Sequence, residues 1–147
     1  MKRSVDCLVG GGNVGALKRN YDCRKSSLGH PDCWPQPLRT VVAILLESRF
    51  PMFVAWGESL CLLYNDAYAE ILGSKHPDAI AQPFRDVWAE IWSDVSALVD
   101  TAISGEATYR EDLPLVMNRK GYAEQAWFTF SYSPVCDDVG KVAGLFC

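Results

Sequence analysis

A chain of 147 residues that is 49% hydrophobic and 12% aromatic can bury one sizeable core and is too short for two ordinary domains. Its longest aliphatic run, Val41 to Leu46, falls far short of the roughly 18–20 apolar residues that cross a bilayer, so no membrane span is expected. The net charge of −4 hides an asymmetry, with seven basic and three acidic groups in residues 1–40 against seven and fifteen in residues 41–147; the acidic body argues against nucleic-acid binding, which needs clustered Lys and Arg.

Residues 1–33 differ in composition from the rest of the chain. Only Tyr21 of the seventeen aromatic residues precedes Trp34, and five of the eleven glycines fall there, so this stretch reads as a poorly ordered, basic leader. Lys2 and Arg3 resemble the start of a secretory signal, but Asp6 and the glycines at 10, 11 and 12 interrupt any apolar centre, and the chain reads as cytoplasmic. Gly10-Gly11-Gly12-Asn13-Val14-Gly15 satisfies the GxGxxG spacing. A dinucleotide site also needs a βαβ unit and an acidic residue about twenty positions on, at a strand end. Asp32 has nearly that distance but lies in GHPDCWP, and no parallel crossover succeeds it, so the motif carries no dinucleotide assignment. The cysteines at 7, 23, 33, 61, 136 and 147 include no CxxC pair and read as reduced thiols. Cys7, Cys23, His30 and Cys33 offer zinc-ligand chemistry, but structural zinc ligands come in closely spaced pairs and only His30 and Cys33 approach one; no metal is assigned.

From Trp34 onward the patterning is regular. Leu38, Val41, Val42, Leu45 and Leu46 recur at helical spacing and predict an amphipathic helix over residues 36–48, started by Pro35 and Pro37 and ended before Pro51. Phe50 to Trp56, a Gly57-Glu58-Ser59 turn and Leu60 to Tyr64 predict a hairpin. Asn65 offers a side-chain oxygen to the open donors of a short helix from Asp66 to Leu72, which Gly73 stops. Asp86 to Ser104 carries a helical stripe of Val87, Trp88, Ile91, Trp92, Val95, Leu98, Val99, Ala102 and Ile103, predicting one rod of about 28 Å. Thr108 to Met117, Tyr122 to Ser133 and Lys141 to Cys147 complete the chain as strands joined by tight turns, and therefore antiparallel.

Two strands, a small-helix region, a long helix and three antiparallel strands are the element order of the PAS family, and the residues resemble it too. YNDAYAEILG resembles the family's capped helix after the second strand, NRKGY its later hairpin, and WFTFSYSPVCDDVGKVAGLFC its last two strands. The match covers about residues 36–147 and is similar in wording to PAS domains at the front of bacterial sensory-box, often hybrid, histidine kinases. The resemblance implies an α+β domain over residues 34–147: a five-stranded antiparallel sheet with helices on one face, an N-terminal amphipathic helix, and a ligand cavity between helices and sheet. It also implies a sensor rather than an enzyme. No phosphoacceptor helix or ATP-binding domain is present, and His30 and His76 lie in loop-like sequence.

Haem-binding members of the family place an axial histidine mainly on the long helix, where this chain has none. The asparagine-cysteine-arginine motif of flavin photoreceptors is absent as well, and Cys61 reads as a small core residue. No cofactor is indicated; a small organic ligand is expected instead. Its candidate contacts are Tyr64, Tyr68, Trp88, Trp92 and Phe130, with Asn65 and His76 as polar partners, although such aromatics also serve simply as core. On the fourth strand Phe128, Phe130 and Tyr132 alternate with Trp127, Thr129, Ser131 and Ser133, so one face carries three rings. If that face points away from the long helix, Phe130 leaves the ligand list. A homodimer through Leu38, Val41, Val42, Leu45, Leu46 and the sheet is expected to cover what the fold leaves open.

The leading functional expectation is a ligand-binding sensor module of a two-component histidine kinase, relaying occupancy to a downstream kinase domain. A ligand-free dimerisation module and a small α+β hydrolase or isomerase are the alternatives; the latter lacks a base beside a nucleophile.

Overall fold

The structure, a computed structural model, describes residues 27–29 and 31–147. The GxGxxG motif and Cys7, Cys23 and His30 lie outside those residues, while Cys33 is exposed with a free thiol. A single 3-10 turn, Pro31–Cys33, leads into helix α1, Gln36–Glu47. Strands β1, Phe53–Trp56, and β2, Cys61–Tyr64, come next, then helix α2, Asp66–Leu72. Helices α3, Phe84–Val87, and α4, Trp92–Ile103, precede strands β3, Thr108–Met117, β4, Glu124–Cys136, and β5, Val142–Phe146.

The five strands form one antiparallel sheet in the order β2-β1-β5-β4-β3, the expected architecture. The chain's last strand therefore sits at the centre. Phe53 packs its ring on Tyr68, Phe84 and Tyr132, at 4.9, 5.4 and 6.1 Å between centroids, so it points to the side covered by α2 and α3. Ala55, and through the register Leu62, Tyr64 and Leu145, share that inner face. Val54 and Trp56 point the other way and are buried too, beneath Leu38, Val42, Leu45 and Leu46 of α1 and beneath Trp34. Every residue of β1 and β2 is buried, which is why both read as continuous apolar runs.

Two expectations need correction. The α1 residues Leu38, Val42, Leu45 and Leu46 are buried in the chain's own core, with Val41 partly so, leaving this stripe spent on β1 and β2 and unavailable to a second subunit. The rod over residues 86–104 is also broken. Trp88 takes φ −112°, ψ 41°, a 3-10 turn Ala89–Ile91 comes after it, and the remaining helix α4 has 12 residues, or about 18 Å. Tertiary packing overrides the period here. The break sinks the Trp88 indole into the interior, where its Nε1 donates to the Tyr68 hydroxyl at 3.0 Å.

Candidate ligand cavity

The α2 N-terminus is built around Asn65, as its cap position in the sequence requires. Its Oδ1 accepts from Tyr68 N at 3.0 Å and from Met52 N at 3.2 Å, and its Nδ2 donates to Leu45 O, Phe50 O and Ser48 O at 2.9, 2.7 and 3.3 Å. At 1% exposure this amide has every donor and acceptor engaged by backbone. It is a junction between α1, β1 and α2, with nothing left for a ligand.

Fixing α2 aims Tyr68 inward over Phe53. Opposite it, the strand period turns Phe128, Phe130 and Tyr132 of β4 to the inner face, toward the helices and not away from them. Phe130 therefore stays a cavity residue. Between these layers lies a cavity of about 290 Å³ whose walls include Phe53, Tyr68, Phe84, Trp88, Ile91, Leu115, Met117, Phe128, Phe130, Tyr132 and Cys147. None of its lining side chains is charged.

The hydroxyls on this wall are unequal in their bonding. Tyr68 accepts from Trp88 Nε1 and retains its own proton, whereas Tyr132, 4% exposed, makes no hydrogen bond among the described residues. Burial pushes both phenols well above the usual tyrosine range and the Cys147 thiol up to about 12, so all three stay protonated at neutral pH.

Of the seven residues singled out from sequence, Tyr68, Trp88 and Phe130 line this cavity. Tyr64 lies behind Tyr68, ring centroids 5.9 Å apart, and its hydroxyl is 2.7 Å from His76 Nδ1. That pair forms a polar contact outside the lining, and burial lowers the His76 pKa. Trp92 faces elsewhere. The helix break rotates it onto Phe84 and beneath Arg85, centroid and cation distances both 5.8 Å, on the wall of a separate cleft of about 680 Å³. That cleft is the larger of the two, but it carries Glu58, Arg85, Asp86, Asp100, Asp137 and Lys141, charges of both signs with no common direction. The smaller, uncharged cavity matches a small-molecule site better, being apolar with few convergent polar groups.

The sequence reasoning missed Phe53, Phe84, Leu115, Met117, Tyr132 and Cys147 as cavity residues. The period-2 pattern did carry a signal for Phe128 and Tyr132, since residues two apart on a strand share a face with Phe130. Phe84 and Met117 had none, because their positions depend on how the helices lie on the sheet. Among the described residues no three His, Cys, Asp or Glu side chains converge as a metal site would require.

A family model described as the PAS fold matches residues 48–147. No curated protein matches the sequence. Among solved structures, one described as an RNA-binding light-oxygen-voltage receptor superposes with a TM-score of 0.53 at 16% identity, over 73% of this chain. The aligned part is 30% of that protein's chain, and at this identity the likeness concerns the fold alone.

Proposed function

This chain belongs to the PAS fold family, and from that premise we propose that it is a signal-sensing module that binds a small organic ligand between helices and sheet. It relays occupancy to an output domain, a histidine kinase in our reading, and performs no chemistry itself. The observation that carries this is the uncharged aromatic cavity with the unbonded Tyr132 hydroxyl on its wall. That hydroxyl has its donor free of any protein partner, so a ligand oxygen on the cavity side could accept from it. A volume of about 290 Å³ is twice the ~150 Å³ that takes up benzene, so it suits about one or two fused rings.

The relay rests on topology. Cys147 lines the cavity and exchanges backbone hydrogen bonds with Phe53, both at 2.9 Å, so a ligand touching it bears on the central strand and, through that strand, on the output domain. Occupancy shifts the output only as far as the ligand prefers one packing of helix on sheet over the other. Native mass spectrometry of protein purified from its source under non-denaturing conditions tests this. A stoichiometric bound organic mass supports it, and a clean apo mass together with a folded, fully active parent sinks it.

The second reading, a ligand-free dimerisation module, is favoured by a different observation. On the outer face of β3 and β4, Tyr109, Val116 and Trp127 are exposed, Trp127 at 61%. The homodimer expected from sequence would then use this half of the sheet in place of the α1 stripe. Light scattering decides: a dimer converted to monomer by Trp127→Lys supports the interface, and a monomer at high concentration removes it.

A further inference from the structure

Resting on the reading that the cavity holds a ligand, we infer that the ligand is a neutral, flat ring compound bearing a hydrogen-bond acceptor, such as a ring ketone, and that Tyr132 is the residue that selects for the acceptor.

Shape comes from the walls. Phe53, Phe84, Trp88, Phe128 and Phe130 present ring faces and edges around a space fit for about one or two fused rings. Neutrality comes from the same walls, because an ion would lose its hydration without meeting any opposite charge. Polarity comes from the two phenols. The Tyr68 oxygen is already an acceptor for Trp88 Nε1, so what it has left to offer is its proton. Tyr132 has no partner among the described residues, and its ring is fixed by Phe53, Phe84 and Phe130 at 6.1, 6.2 and 4.9 Å. Both phenols flank the same ring, Phe53, from the α2 side and the β4 side. Two protonated tyrosines thus line one apolar space whose side chains include no carboxylate or imidazole to accept from them. A carbonyl oxygen has two lone pairs and meets that need; an alkyl ring does not.

Two probes separate this inference from the reading beneath it. Indane and 1-indanone share one fused-ring skeleton and differ only in a carbonyl. Titrating each by calorimetry into the wild-type protein and into Tyr132→Phe cancels the difference in their solvation by water. We expect Tyr132→Phe to weaken 1-indanone by about five- to tenfold and to leave indane within about twofold. The variant keeps the ring and removes only an unbonded hydroxyl, so it should melt no lower than wild type. If wild type binds both probes and the substitution alters them equally or not at all, the cavity reading stands and the donor role of Tyr132 is overturned. If wild type binds neither at millimolar concentration, both are overturned.

Discussion

The Asn65 side-chain amide donates to Leu45 O at 2.9 Å, fastening the start of α2 to the end of α1. Residues twenty apart in the chain are joined by one buried group that also receives Met52 N and Tyr68 N. The cavity depends on this junction, since it fixes the helix that carries Tyr68.

Asn65→Ala should therefore cost about 3–4 kcal/mol, combining a lost helix cap with backbone groups left unpaired. Asn65→Asp is the sharper probe. It keeps the cap oxygens but removes both N–H donors and sets a carboxylate against three carbonyls, so urea denaturation should find it at least as destabilised. Wild-type stability of Asn65→Asp at neutral pH would dismiss the donor role.

The two cavity phenols should respond oppositely in ligand-free protein. Tyr68→Phe leaves Trp88 Nε1 buried without an acceptor and should lose about 1–3 kcal/mol. Tyr132→Phe removes a hydroxyl that has no partner and should be neutral or stabilising by up to about 1 kcal/mol. Chemical denaturation after exhaustive ligand removal measures both, and equal losses would contradict the assigned bonding.

Gly144, on the central strand, faces Trp56 with no room for a side chain. A Cβ there would collide with Ala55 O and press on Trp56 Cα and its ring, each at 3.1 Å. Gly144→Ala should destabilise by roughly 2–4 kcal/mol through displacement of β5 from β1. It should also broaden the amide signals of Phe53 and Cys147, which flank the cavity.

His76 gives the fold a pH dependence. Burial depresses its folded pKa, with Asp66 opposing, so the neutral ring is favoured, its Nδ1 lying 2.7 Å from the Tyr64 hydroxyl. Between that depressed value and the unfolded value of about 6.5 the unfolded chain holds the extra proton. The contribution is complete above about pH 6.5 and is lost as pH falls through the folded value. Urea midpoints at pH 7.5 and 5 should differ more for wild type than for His76→Gln, and an identical difference in the two would rule His76 out as its source.

Much of this architecture is written locally. Asn65 before an apolar run specifies a cap because its short side chain reaches the open N–H groups of the next turn. The alternation through Phe128, Phe130 and Tyr132 specifies a shared strand face because successive side chains point oppositely. These signals yield the PAS element order and its five antiparallel strands, with Tyr68, Trp88 and Phe130 at the cavity. Three outcomes belong to tertiary structure. Whether Asn65 meets a ligand or backbone depends on where α1 ends in space, which no spacing encodes. The stripe of Leu38, Val42, Leu45 and Leu46 shows that a face will be buried, but its partner proved to be this chain's own β1 and β2. Trp88 and Trp92, one helical turn apart in an unbroken rod, are sent to different sites by the break between them. Periodicity records which side chains avoid water; only the packed chain decides what they meet, because burial is non-directional and steric fit is not.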